Sequence, residues 1–93
     1  MKCLGIIVLL AVAIAFSGCA GRALNEAKRV NTVSAYDTFL KEYPDHELVK
    51  EALDLREKAV FDESKALDSI ESYRNYLKQY PSGIYVSDAE DRL

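Results

Sequence analysis

The chain has little of what most reaction and ligand chemistry needs. It holds one histidine, two cysteines, one methionine and no tryptophan. His46 has no second histidine to join it, which leaves no metal-ligand spacing and no nucleophile–base pair. It follows Pro44-Asp45 at an expected helix start, where a solvated turn residue fits. The four glycines are scattered, so no phosphate-cradling loop is present. Basic residues number 12 against 15 acidic ones, for a net charge of −3, and no basic stripe appears. A nucleic-acid surface needs clustered Lys and Arg, so that partner class is excluded. Asp88, Glu90 and Asp91 interleave with Ser87 and Ala89, the pattern of a solvated face. No segment alternates polar and apolar with period 2, so no half-buried strand is expected. These absences argue against an enzyme and against a cofactor or metal protein.

What is present begins with "MKCLGIIVLLAVAIAFSGCA". Lys2 precedes an apolar run from Leu4 to Phe16, and small residues follow. A run of about 13 apolar residues is short for a bilayer core of ~30 Å, which takes about 20. A basic start, apolar middle and small-residue exit read as a secretory signal. Cys3 falls inside that segment, leaving Cys19 as the single cysteine downstream, unable to close an intrachain disulfide. The exit "FSGC" resembles the lipobox of bacterial lipoproteins. Ser17 and Gly18 match the two positions before the cysteine, and Phe16 stands where Leu is usual. The resemblance implies that residues 1–18 are a lipoprotein signal peptide and that Cys19 is acylated and becomes the new N-terminus. The competing reading is an ordinary signal peptide cut near Ala13-Ile14-Ala15, with Cys19 incidental. Stable anchoring takes more than one acyl chain, at about 0.8 kcal/mol per buried CH2. A multiply acylated Cys19 meets that requirement. Ala20, in place of Asp, implies the outer membrane, periplasmic side.

The rest of the chain repeats itself. "AKRVNTVSAYDTFLKEYP" from Ala27 lies over "SKALDSIESYRNYLKQYP" from Ser64. Val30 meets Leu67, Val33 meets Ile70, Tyr36 meets Tyr73, Phe39 meets Tyr76, Leu40 meets Leu77 and Tyr43 meets Tyr80. Past the prolines, Ala52 meets Ala89 and Asp54 meets Asp91. A match at fixed offset is the mark of a repeat architecture. Each copy reads as helix, break, helix. Apolar residues after Val33 fall at Tyr36, Phe39, Leu40 and Tyr43, one face of a helix. Asn31 and Asp68 stand where an N-cap belongs, with Glu71 completing a capping box on Asp68. Pro44 and Pro81 end these helices. A long helix is expected from about His46, with Leu48, Val49, Ala52, Leu55, Arg56, Ala59 and Val60 on its face and Leu53 and Phe61 widening it. A last helix is expected over 84–93.

"SAYDTFLKEYPDHELVKEA" and "ESYRNYLKQYPSGIYVSDAEDRL" resemble the tetratricopeptide-type helical repeats of bacterial envelope lipoproteins. The resemblance implies an all-α array of helical hairpins, about four to five helices after the signal segment, without β-sheet. It divides the chain into 1–18 signal peptide, 19–30 lipid-anchored tether and short helix, and 31–93 repeat region. It also implies close helix crossings at Ala52 and Ala89.

One helical hairpin cannot bury its apolar face alone, and about three repeats are the usual minimum. With one complete unit flanked by partial ones, and roughly 75 residues after the signal, an exposed helix face is expected. Tyrosine is the one compositional excess. Tyr36, Tyr43, Tyr73, Tyr76 and Tyr80 fall on the recurring face, where they fill the helix-pair core with hydroxyls reaching water or line a partner groove. Tyr85 lies off the pattern, opposite Leu48, and is the leading candidate for an exposed aromatic contact, with Tyr43 and Tyr80 beside it. The expected function is a non-catalytic protein–protein interaction module, membrane-anchored through Cys19 in the bacterial envelope, with a protein partner. The alternatives are a small structural or self-associating envelope lipoprotein, or a shortened product of a longer repeat protein, since "DRL" stops in mid-pattern.

Overall fold

The computed structural model describes residues 12–93, with side chains from Cys19 onward. The signal segment read over 1–18 falls largely outside the described residues. Five helices follow in order: α1 (Val12–Val30), α2 (Val33–Glu42), α3 (Val49–Leu67), α4 (Ile70–Gln79) and α5 (Val86–Asp91). Each packs on the next as one arm of a hairpin, and no strand occurs among the described residues. The fold is an all-α helical-hairpin array, as its sequence implies.

The helix boundaries recur at an offset of 37 residues. Val30 ends α1 as Leu67 ends α3, and α2 relates to α4 at both ends in the same way. Val86 opens α5 at the same distance from Val49. The array is two full hairpins and the opening of a third helix pair. Residues 19–30, read as a lipid-anchored tether and short helix, are helical throughout as the C-terminal part of α1. Ala20, Leu24 and Ala27 bury that part against α2 and α3.

The turn between α3 and α4 corrects the capping assignment. Asp68 is the C-cap of α3, in left-handed conformation with φ 48° and ψ 47°. Asn31 takes the matching place after α1 with φ 54°. Short polar side chains tolerate this region better than other non-glycine residues. The N-caps are the next residues, Thr32 and Ser69, both extended, with φ −127° and −123°. Thr32 Oγ1 accepts from the Ala35 N–H and Ser69 Oγ from the Ser72 N–H, both at 3.1 Å. The capping box pairs Ser69 with Ser72, whose hydroxyl accepts from the Ser69 N–H, and Glu71 has no part in it. Asn31 and Asp68 have another use: each accepts the hydroxyl proton of the tyrosine five residues on, Tyr36 and Tyr73, at 2.8 Å.

α2 and α4 end on Tyr43 and Tyr80, each donating its N–H to the carbonyl four residues back, before Pro44 and Pro81. A tight turn follows, so α3 starts at Val49 rather than near His46, and α5 covers 86–91 rather than 84–93.

Two apolar clusters form the core. One joins Leu24, Tyr36, Phe39, Tyr43 and Ala59 across α1, α2 and α3. The other joins Val60, Phe61, Tyr73, Tyr76 and Ala89 across α3, α4 and α5. Val33 packs against both. Ala52 and Ala89 are fully buried. Of the expected α3 face, Leu53 is instead exposed and Glu57 is buried in its stead.

Candidate functional site

The first candidate surface is a groove of about 520 Å³ between α1 and α2. Ala23, Ala27, Ala35, Phe39 and Tyr43 give it an apolar floor, and Arg22, Glu26 and Glu42 are its charged members. The small residues follow helical spacing, which leaves a trough where larger side chains would fill it. Cys19 lies one turn before Ala23 on α1, half-buried and packed against the same cluster. Tyr43 is buried, its ring 5.2 Å from that of Phe39. The groove can take up an apolar segment of a ligand and meet its polar ends with charges of both signs.

Tyr80 and Tyr85 do not join Tyr43. Tyr80, half-buried, accepts from Arg56 Nη1 at 2.6 Å and stacks on Tyr76 at 5.4 Å. Arg56 also donates through Nε to Asp37, so one guanidinium ties α3 to both α2 and α4. The Asp37 hydrogen bond, ahead of the Tyr80 one, holds its proton more tightly than usual. Tyr85 was expected as an exposed contact. It is half-buried and lies flat on Phe61, with ring centroids 4.9 Å apart and planes 5° apart. The Leu-to-Tyr difference at this repeat position sets a ring against the protein's own Phe61.

Tyr36, Tyr73 and Tyr76 fill the core, but their hydroxyls do not reach for water. They bond to Asn31, Asp68 and Glu57. Burial pushes all three phenols above their ordinary pKa, and for Tyr76 and Tyr73 the neighbouring carboxylate adds to the effect.

The most constrained polar group is Glu57, only 7% exposed. Its Oε2 accepts from the Tyr76 hydroxyl at 2.6 Å and from the Ile84 N–H at 2.8 Å. The Tyr76 oxygen accepts in turn from the Tyr85 N–H at 3.0 Å. These three linked hydrogen bonds tie the α4–α5 turn to α3 directly through Ile84 and to α4 through Tyr85, and join α4 to α3. Gly83 is required beside them: a Cβ there would collide with the Glu57 carboxylate, the Tyr76 hydroxyl and Tyr80 Cβ. The first hairpin solves the same turn differently. Ala20, Phe39 and His46 take the places of Glu57, Tyr76 and Gly83. There the Leu48 N–H, equivalent to that of Tyr85, donates to His46 Nδ1 at 3.0 Å. His46 is therefore a turn-closing acceptor in addition to being partly solvated. Glu57 was not legible as buried because glutamate is rarely so. Its repeat partner, Ala20, was the available signal.

Among the described residues, no group of three or more His, Cys, Asp or Glu could hold a metal ion. None of the described helices is long and apolar enough to cross a membrane. No family model, curated protein or solved structure matches the chain.

Proposed function

We propose that this chain is a lipoprotein of the bacterial envelope, anchored through Cys19, whose helical hairpins serve as a non-catalytic protein-interaction module. One observation carries the reading: Lys2, the apolar run from Leu4 to Phe16 and the "FSGC" stretch lead to Cys19, the residue that a lipobox acylates. Ala20, Leu24 and Ala27, directly after it, are buried in the core, so an anchor on Cys19 would adjoin a folded body. The α1–α2 groove, beginning one turn from that residue, supports a binding role on the side nearest the lipid.

The test is acylation and processing. Radiolabelled palmitate should enter the wild-type protein and not Cys19→Ser, and the variant should accumulate with its signal segment attached. Equal labelling of both, or normal processing of the variant, would exclude the lipoprotein reading.

A further inference from the structure

The groove between α1 and α2 runs toward Cys19. On α1 its lining falls at Ala23, Glu26, Ala27 and Val30, and Cys19 continues that stripe one turn before Ala23. Residues three and four apart share a helix face, so Cys19 stands at the mouth of the groove. It is half-buried and packs against the cluster that holds Ala27, Phe39 and Tyr43 of the floor. From Cys19 to Val30 the helix rises about 16 Å, at 1.5 Å per residue.

The space suits an aliphatic occupant. Val60 and Tyr76 are the repeat equivalents of Ala23 and Phe39, and they belong to the cluster on which Val33 of α2 packs. The corresponding trough of the second hairpin thus takes an aliphatic side chain. There Ser64 and Ser72 also close the helix pair, each hydroxyl donating to the other's carbonyl at 2.9 and 3.0 Å. Ala27 and Ala35 stand at those two positions in the first hairpin, so the polar closure is missing and methyl groups line the groove instead. A lipid on Cys19 holds an aliphatic chain at the mouth. An all-trans hydrocarbon advances about 1.3 Å per C–C bond of ~1.5 Å, so a groove of ~16 Å takes about twelve carbons. Its volume, about 520 Å³, is that of a small-ligand site. Arg22, Glu26 and Glu42 at the rim are exposed and keep their charges in water.

We infer that the α1–α2 groove seats one acyl chain of the lipid on Cys19 when the protein is out of a bilayer. The inference rests on the acylation proposed above. Removal of residues 1–18 takes away everything upstream of Cys19, so no earlier segment competes for the space. A bilayer surrounds every methylene, whereas the groove covers one side, and apolar stabilisation scales with the area covered. The membrane therefore withdraws the acyl chain, and the groove opens on anchoring.

The test is photo-crosslinking from the lipid itself. Cells are grown on a palmitate analogue with a diazirine at its methyl end, and the acylated protein is purified in detergent micelles. Irradiation follows either dilution below the micelle-forming concentration or transfer to phosphatidylcholine vesicles. On dilution, adducts should map by peptide mass to residues 26–38. In vesicles their yield should fall about tenfold or more, because each CH2 gains from burial in the bilayer. Ala35→Trp fills the far end of the groove and should abolish those adducts. Ala23→Glu sets a charge at the mouth and should do the same, which keeps the test decisive if the tryptophan variant unfolds. Adducts undiminished in Ala23→Glu, adducts spread evenly over α3 to α5, or equal yields in vesicles and in water would overturn the inference. So would adducts joining heavy to light copies in an isotopically mixed sample, since the occupant would then be another copy's acyl chain. Acyl mass on Cys19 without groove adducts sinks this inference alone. No acyl mass on Cys19 sinks it together with the lipoprotein reading.

Discussion

Tyr76 donates its phenolic proton to Glu57 Oε2 at 2.6 Å across the α3–α4 interface, both side chains buried. The bond matters because the same two atoms also receive the Ile84 and Tyr85 amides. Removing one member strands the others, and a stranded buried donor costs about 1–3 kcal/mol. Tyr76→Phe should lower stability by about 1–3 kcal/mol and Glu57→Ala by at least as much, read from urea unfolding. The double variant should fall short of the sum, since each single change breaks the same bond.

The first hairpin offers a transplant. Glu57→Ala and Tyr76→Phe copy Ala20 and Phe39, and Gly83→His copies His46. In the wild-type background any Cβ at Gly83 meets three atoms, and Gly83→Ala should cost about 1–3 kcal/mol as overpacking. With Glu57 and Tyr76 truncated the space opens, and an imidazole can accept the Tyr85 amide as His46 accepts that of Leu48. The triple variant should therefore be more stable than the Glu57→Ala/Tyr76→Phe double. A triple variant less stable than the double would show that the two turns are not equivalent.

Ser69→Ala should cost about 1 kcal/mol as a lost N-cap. Asp68→Asn should stay within about 0.5 kcal/mol of wild type, because Asn31 already holds the left-handed conformation and the tyrosine bond in the first hairpin. Were Asp68 the N-cap, both it and Ser69 would respond in a different order. Thermal unfolding of the two variants decides this.

The sequence carried the helical period, the proline stops and the offset of 37, because apolar spacing and missing amide protons act locally. It did not carry the choice between Asp68 and Ser69. Both are short polar residues able to cap, and the deciding contact is the Tyr73 hydroxyl, which arrives from the next helix. Nor did it carry the extent of α1. The apolar run before Cys19 reads as a signal segment and its residues barely resemble those of α3, so the helix that continues through Cys19 to Val30 is visible only in three dimensions. The groove candidates divide for a similar reason. Tyr43 reaches the α1–α2 groove, whereas Tyr85 turns onto Phe61, a contact set by the α5 approach. Tyr85→Leu, the residue of the first hairpin at that position, should cost about 0.5–1.5 kcal/mol, the ring-stacking increment, in urea unfolding.

Alkaline pH should unfold the protein through its phenols. Tyr36, Tyr73 and Tyr76 all have pKa values raised in the folded state, chiefly by burial. Above the unfolded value of about 10 the unfolded chain has lost protons that the folded chain keeps. Stability is then full below pH ~10 and declines as pH rises toward the folded values. Tyr76→Phe should flatten that decline, measured as unfolding midpoint from pH 9 to 12. A slope identical to wild type would show that Tyr76 does not hold its proton more tightly when folded.

The intact mass of the protein extracted from membranes tests anchoring at Cys19 most directly. The predicted species lacks residues 1–18 and carries acyl mass on the N-terminal cysteine, and Cys19→Ser shows neither change. A species cleaved near Ala15 without added mass, or one retaining residues 1–18, would contradict it.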